Sequence, residues 1–374
     1  MLATFESTAR AKLRPLQKLR LISWPMILLA GLVAGIGFVM LYSAAGGSFD
    51  PWADRQMIRF VVGVLLMIGV AIVDLRVWLR NAYFIYLGAL LLLIGVEIAG
   101  DIGMGAQRWI DLGIFQLQPS ELMKVALVLA LARYFHSLEA ESVRRILPLV
   151  PPLLLIVVPA LLVLKQPDLG TGLTLILITI TLIFVSGLNW RTMAVLAVAG
   201  MLAAPLRWHY LKPYQRQRLV TFLNPQADPL GSGYHIIQSE IAIGAGGTFG
   251  KGFLNGTQAR LNFLPEQHTD FIFAVFAEEF GLAGSIILLT LYASLIARGA
   301  WIARHARERF GALLAVGITA IVFWQVAINI GMATGILPVV GITLPLVSYG
   351  GSSLIAMMAA IGILISINTR RFLF

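Results

Sequence analysis

Three side chains able to do acid–base chemistry, Glu266, His268 and Asp270, lie where the one long polar segment of the chain meets an apolar run. Charged groups at a boundary between water and lipid are costly unless they are paired or used. A carboxylate there can accept the proton of a substrate hydroxyl as a general base, or it can hold a divalent cation. Asp270 is therefore the candidate catalytic residue, and Glu266, His268 and Thr269 are candidates to line its cavity.

Thr269 and Asp270 also have a structural interpretation, because either side chain can cap the free N–H groups at the start of a helix. The apolar run from 270 to 298 is about 42 Å long at 1.5 Å per residue, which exceeds a hydrocarbon core of about 30 Å. Asp270 is therefore expected near the outer interface, within reach of a lipid-anchored substrate and of water. Both interpretations stay open, since one residue can begin a helix and still do chemistry.

Four further charged residues lie inside apolar runs: Glu121 and Lys124, three positions apart, and the adjacent Glu278 and Glu279. The favoured interpretation is a structural ion-pair network, in which Lys124 pairs with Glu121 or with a glutamate of the later run. The alternative is direct catalysis, and Glu121 and Lys124 are also candidates to bind substrate or to line a polar cavity.

The predicted outer side offers a second carboxylate and several cations. Asp168, which follows Pro167, is either a helix cap or a site carboxylate. Guanidinium and ammonium groups bind pyrophosphate well, although they can equally solvate a loop or contact lipid headgroups. The candidate cations are Lys212, Arg216, Arg218, Lys251 and Arg260.

The segment from 335 to 353, which contains Ser348, is apolar but is broken by Gly and Pro. Irregular backbone at membrane depth is tolerated where protein buries it or where it lines a cavity, so a re-entrant cavity wall is predicted. The glycine-rich stretch from 244 to 252 looks like a phosphate loop, but Ala245 replaces the first glycine and Gly252 replaces the Ser or Thr after Lys251. A nucleotide site is not expected there.

The composition indicates which elements position these residues. Of 374 residues, 59% are hydrophobic and 12% are charged, and long apolar runs recur. Spanning segments must satisfy their own backbone hydrogen bonds, so an all-α polytopic membrane protein with a single domain, 1–374, is predicted. The absence of cysteine excludes disulfides and thiolate metal sites. About ten spans are expected, near 21–42, 57–74, 81–100, 119–137, 147–164, 169–187, 192–206, 270–298, 311–335 and 346–368.

Basic residues predict the orientation, because short cytoplasmic loops carry the excess of Lys and Arg. Both termini are then cytoplasmic, 1–20 is a basic cytoplasmic segment, and 207–267 is a large extracytoplasmic loop between the seventh and eighth spans. This distribution accounts for the net charge of +10 without a nucleic-acid partner. Only four basic residues fall in the short outer loops: Arg55, Arg59, Arg108 and Lys165. The sixteen on the cytoplasmic side are Arg10, Lys12, Arg14, Lys18, Arg20, Arg76, Arg80, Arg144, Arg145, Arg191, Arg298, Arg304, Arg307, Arg309, Arg370 and Arg371.

Several motifs along the chain match one known family. They are Gln118-Pro-Ser-Glu-Leu-Met-Lys124, Gln166-Pro-Asp-Leu-Gly-Thr171, Tyr214-Gln-Arg-Gln-Arg218, Asp228-Pro-Leu-Gly-Ser-Gly-Tyr234, Gln238-Ser239, 264–273 and 335–353. From the first span to Arg371, the chain resembles the SEDS family (shape, elongation, division and sporulation) of bacterial membrane glycosyltransferases. Gly256-Thr-Gln258 and the stretch 264–268 look more like the elongation branch, RodA, than the division branch, FtsW.

The resemblance implies polymerisation of lipid II into glycan strands on the outer face of the bacterial cytoplasmic membrane, with release of undecaprenyl pyrophosphate. It also implies an undecaprenyl-linked glycan as co-substrate, contact with membrane lipids, and a class B penicillin-binding protein of the PBP2 type as partner. Asp270 is implied to be the essential carboxylate, as general base or as ligand of Mg²⁺ or Mn²⁺, and no tightly bound cofactor is expected. The alternatives are a lipid II flippase or transporter, a structural scaffold, or the division-specific role.

Overall fold

The structure is a computed structural model that describes residues 23–103, 106–111, 113, 116–138, 147–188, 194, 216, 220–227, 232–261, 263–264 and 266–370. Most of these residues are helical. The helices are α1 (Trp24–Ala44), α2 (Ala53–Ile72), α3 (Leu75–Ala99), α4 (Pro119–Ser137), α5 (Val150–Lys165), α6 (Leu169–Val185), α7 (Ser232–Gly246), α8 (Thr257–Arg260), α9 (Ile272–His305), α10 (Arg309–Ala333) and α11 (Gly351–Arg370).

Nine of the ten predicted spans coincide with one of these helices, within a few residues at most ends. The predicted span 192–206 lies outside the described residues, apart from residue 194. Among the described residues, seven helical segments are long and apolar enough to cross a membrane, and they contain α1, α2, α3, α5, α9, α10 and α11. Two helices coincide with predicted spans but are not among these seven. They are α4, which carries Glu121, Lys124 and Arg133, and α6, which has only 17 residues.

The all-α prediction misses a small antiparallel sheet between α3 and α4. Its strands are β1 (Asp101–Gly103), β2 (Ala106–Asp111) and β3 (Gln116–Leu117), with β2 between the other two. Strands of this length in a polar connection are too short to leave a clear alternating pattern in the sequence.

One end of the helix bundle gathers the loops that precede α2, α4, α9 and α11. Gln56 donates to the carbonyl of Ser348 at 3.0 Å, and the amide of Gln118 donates to Ser352 Oγ at 3.0 Å. Gln267 donates to the carbonyl of Ala44 at 3.1 Å. We call this the site end, because it also contains Asp270.

The opposite end, here called the basic end, gathers the loops that follow α2, α4, α6 and α9. Arg370 pairs with Asp74, and Arg309 donates to the carbonyls of Leu138 and Ser186. Arg76, Arg80, Arg304 and Arg307 lie in the same loops or at their edges. The loops within the described ranges therefore sort into the two groups that the distribution of basic residues predicts, and which group faces the cytoplasm stays a prediction.

Helix α9 is broken at Gly281, whose φ of 65° and ψ of −161° are not helical. Residues 247–252, here called the brace, satisfy the backbone around this break. The amides of Leu282 and Ala283 donate to the carbonyls of Gly247 and Thr248 at 2.9 Å each, and the amides of Lys251 and Gly252 donate to α9 carbonyls at 3.0 Å each. The stretch considered as a phosphate loop is thus a backbone support for α9.

Candidate functional site

Asp270 lies in the loop just before α9 and is half-buried. Its backbone carbonyl accepts a hydrogen bond of 2.9 Å from the side-chain amide of Asn329, in α10. The same amide donates to the carbonyl of Ile342 at 2.7 Å, and Asn329 is 0% exposed. One buried side chain therefore joins the Asp270 segment to the loop between α10 and α11.

The carboxylate of Asp270 faces the α10–α11 loop at Gly341, whose φ is +74°. A Cβ atom at Gly341 would lie 3.4 Å from Asp270 Oδ2. On the other side of this loop, a Cβ atom at Gly170 would lie only 2.8 Å from the carbonyl oxygen of Val340. The loop thus contacts both Asp270 and the start of α6, and we treat it as a wall of the site, although the re-entrant cavity stays a prediction.

Residue Phe271 occupies the N-cap position of α9 and makes no side-chain capping bond. Neither Thr269 nor Asp270 is therefore the N-cap residue, contrary to the capping interpretation. The hydroxyl of Thr269 instead donates to Glu266 Oε2 at 2.9 Å. Glu266 itself has a φ of +53°, so the chain turns sharply just before the site.

His268 and Ser348 connect the Asp270 loop to its surroundings. The imidazole of His268 stacks on Trp52 with ring centroids 4.2 Å apart. The backbone carbonyl of His268 accepts a hydrogen bond of 2.9 Å from the amide of Tyr349. Ser348 Oγ donates to the carbonyl of Thr269 at 2.6 Å. Burial lowers the pKa of His268 below its usual value, and the nearby Glu266 carboxylate opposes this shift only in part. The ring stacking and the backbone hydrogen bond together hold the Asp270 loop against Trp52 and Tyr349.

The predicted ion pair between Glu121 and Lys124 is present, with Lys124 Nζ 2.6 Å from Glu121 Oε1 and both side chains buried. The alternative partner for Lys124, a glutamate of α9, is wrong. Glu278 pairs with Lys251 at 2.8 Å, and Glu279 accepts a hydrogen bond from the hydroxyl of Ser43. Lys251 is thus engaged by a buried carboxylate.

Asp168 caps α6, because its Oδ1 accepts from the amide of Thr171 at 3.1 Å. It is 3% exposed, and Gln118 Nε2 lies 3.4 Å from its other oxygen. Arg108 fixes the turn before α6 by donating to the carbonyls of Gln166 and Pro167. The capping interpretation therefore accounts for Asp168 in this structure.

The other predicted cations are only partly placed. Lys212 and Arg218 lie outside the described residues, and Arg216 is described without its chain neighbours. Arg260 is exposed at the end of α8. Within the described ranges, no three His, Asp or Glu side chains converge as metal ligands. These residues do not by themselves fit a resident cation at Asp270, so the divalent cation stays a prediction.

Three residues of the site are absent from the sequence-based candidates: Asn329, Gln56 and Gly341. The only signal that could have found Asn329 is an amide in an otherwise apolar run, where an unsatisfied polar group is costly. Gln56 carries the same kind of signal at the start of α2. Gly341 differs from the other loop glycines only in its position against a carboxylate, which no pattern reveals.

The fold and the site define a multi-pass helical membrane protein with a half-buried carboxylate enclosed at one end of the bundle. A family model described as "Cell cycle protein", which carries the names FtsW, RodA and SpoVE, matches residues 23–372. The chain belongs to this family, which is the SEDS family suggested by its motifs.

Similar proteins support this assignment. The chain is 48% identical over 353 residues to the peptidoglycan glycosyltransferase MrdB of Escherichia coli strain K12, which covers 92% of each chain. It matches a solved chain of a peptidoglycan synthase complex that coordinates polymerization and crosslinking, with a TM-score of 0.82 and 38% identity over 94% and 98% of the two chains. The rod shape determining protein RodA of Thermus thermophilus matches with a TM-score of 0.71 and 32% identity over the same shares.

Proposed function

We propose that this protein is a peptidoglycan glycosyltransferase that polymerises lipid II during cell elongation, at the outer face of the bacterial cytoplasmic membrane. The observation that supports this proposal most directly is the setting of Asp270, a half-buried carboxylate. Asn329 of α10 bonds to its backbone carbonyl, and its side-chain oxygen faces the loop between α10 and α11. The elongation role is supported by the similarity to MrdB and RodA.

Asp270 acts as the general base of the transfer. It takes the proton from the 4-hydroxyl of the acceptor sugar while that oxygen forms a bond to the anomeric carbon of the growing chain. The bond from this carbon to the pyrophosphate breaks, and undecaprenyl pyrophosphate leaves with the electron pair. Attack opposite the leaving group inverts the configuration.

A transpeptidase partner completes the proposed reaction sequence, because glycan strands must be crosslinked after polymerisation. The similar synthase complex, which couples polymerization with crosslinking, supports a class B penicillin-binding protein of the PBP2 type in this role. The elongating substrate is then an undecaprenyl-linked glycan, and its lipid chains lie among the membrane lipids around the bundle.

The decisive experiment compares Asp270→Asn with wild type, using purified protein, its penicillin-binding partner and lipid II in detergent. We expect polymerisation to fall by about 100-fold or more on a gel of glycan products, while the thermal unfolding temperature stays close to that of wild type. Glu97→Gln is the matched control, because it removes a carboxylate at the outer end of α3 that pairs with exposed Lys165.

Two results would contradict the proposal. Normal polymerisation by Asp270→Asn, with the control also active, would show that Asp270 is not the base. Wild-type protein that moves labelled lipid II across vesicles without making polymer would instead favour the flippase.

A further inference from the structure

Arg59, in the second turn of α2 at the site end, is a cation without an anionic partner. The residue is half-buried, and its Nη1 atom is buried and makes no hydrogen bond. Its guanidinium carbon lies 4.9 Å from the centre of the Tyr349 ring. Among the residues that the structure describes, no carboxylate lies within ion-pair distance of Arg59.

The start of α11, which lies beside the Arg59 side chain, is a second source of positive charge. A Cβ atom at Gly351, the first residue of α11, would lie 3.0 Å from Arg59 Nε and 3.1 Å from its Cζ. The start of a helix carries a partial positive charge from its free N–H groups. A guanidinium group placed there is repelled, because a helix start normally receives an anion.

Arg59 also lies among residues that are hydrogen-bonded to the Asp270 loop and to the loop before α11. Tyr349, which lies under the guanidinium, donates its amide to the carbonyl of His268 at 2.9 Å. Gln56, on α2, donates to the carbonyl of Ser348 at 3.0 Å. The cation is therefore fixed in the wall of the site, unlike a long side chain in a solvated loop.

We propose that Arg59 and the start of α11 bind a phosphate group of a lipid at the outer face of the membrane. The planar guanidinium can donate two parallel hydrogen bonds to phosphate oxygens, and the helix start adds backbone donors. This chemistry is shared by the diphosphate of an isoprenyl-linked substrate and by the headgroup of an anionic phospholipid. Only the first source rests on the proposed function.

The test uses the full chain with its penicillin-binding partner in phosphatidylcholine nanodiscs, with and without phosphatidylglycerol. Arg59→Gln is expected to raise the KM for lipid II by about tenfold or more, since a hydrogen-bonded charge pair is lost, with little change in kcat. Arg59→Lys keeps the positive charge but cannot donate the two parallel hydrogen bonds of a guanidinium, so an intermediate KM is expected. Lys165→Gln is the matched control, because it removes a positive charge of the outer loops from an exposed ion pair.

Thermal unfolding in a neutral detergent separates binding from structure. Without a phosphate ligand, the loss of an unpaired charge relieves repulsion, so Arg59→Gln should unfold at the same temperature as wild type or higher. A structural role predicts a lower unfolding temperature for both Arg59 variants.

The outcomes distinguish the two sources. A raised KM for lipid II assigns the site to the substrate diphosphate. An unchanged KM, with loss of the stabilisation that phosphatidylglycerol gives wild type, assigns it to a phospholipid headgroup. If neither changes, or if both variants only destabilise the fold, the phosphate site is refuted. If wild type makes no polymer, the proposed function fails. The shifts in unfolding temperature that lipids cause still test phosphate binding by Arg59, so the two proposals can fail separately.

Discussion

Asn329 anchors the backbone of Asp270. Its side-chain amide uses both N–H groups, one on the carbonyl of Asp270 and one on that of Ile342. A buried amide in an apolar helix is costly unless it is bonded, and here the bonds join the Asp270 segment to the loop between α10 and α11. We therefore expect Asn329 to be a positioning residue that acts through Asp270.

Replacing Asn329 with Ala should lower kcat by about tenfold, because the Asp270 carbonyl and its loop lose their anchor. Even a small misplacement of a general base lowers the reaction rate strongly. The two carbonyls left without a donor cost about 1–3 kcal/mol each in stability. The measurement is polymerisation kinetics well below the unfolding temperature, where KM should change less than kcat.

Gln325→Leu provides the matched control for this residue. Gln325 lies one turn earlier on α10, is 1% exposed, and has a buried Oε1 atom without a hydrogen-bond partner. It should leave kcat near that of wild type. Equal losses of kcat in both variants would mean that Asn329 only stabilises α10.

At the scale of elements, the first turns of α9 depend on a polar support from the segment between α7 and α9. The brace supplies backbone hydrogen bonds on both sides of the break at Gly281. Glu278, 0% exposed, binds Lys251 and also accepts from the amide of Thr257 at the start of α8. The helix that begins beside Asp270 is thereby held although its own hydrogen bonding is interrupted.

Gly250→Ala should destabilise this arrangement by about 2 kcal/mol or more, because overpacking against backbone cannot be relieved by a side-chain rotation. A Cβ atom there would lie 2.1 Å from the carbonyl oxygen of Glu279, and the φ of Gly250 is +80°. A lower unfolding temperature and a slower polymerisation rate are the expected readouts. Gly244→Ala, with nothing within 4 Å of the added atom, should be neutral or slightly stabilising; a similar loss there would argue against the brace.

At the scale of the whole molecule, apolar run length predicted the helices because a spanning segment must satisfy its own backbone in lipid. The prediction for α4 matches both ends, since Pro119 begins it and a polar stretch follows it. The break at Gly281 was not predictable, because its cost is offset by a brace some 30 residues earlier. Asn329 likewise bonds to a carbonyl 59 positions away, and such pairings cannot be derived from one sequence. The role proposed for Asp270 came from the family resemblance together with its predicted place at the interface.

The orientation of the whole bundle is the last testable consequence, and the absence of cysteine makes it simple to measure. Asn255→Cys places a single thiol on an exposed residue at the site end, and Glu308→Cys places one on an exposed residue at the basic end. The excess of basic residues should keep the second end in the cytoplasm. A membrane-impermeant maleimide applied to spheroplasts should therefore label Asn255→Cys at once and Glu308→Cys only after permeabilisation. The reverse pattern would place Asp270 on the cytoplasmic side, where it could not act on lipid II at the outer face.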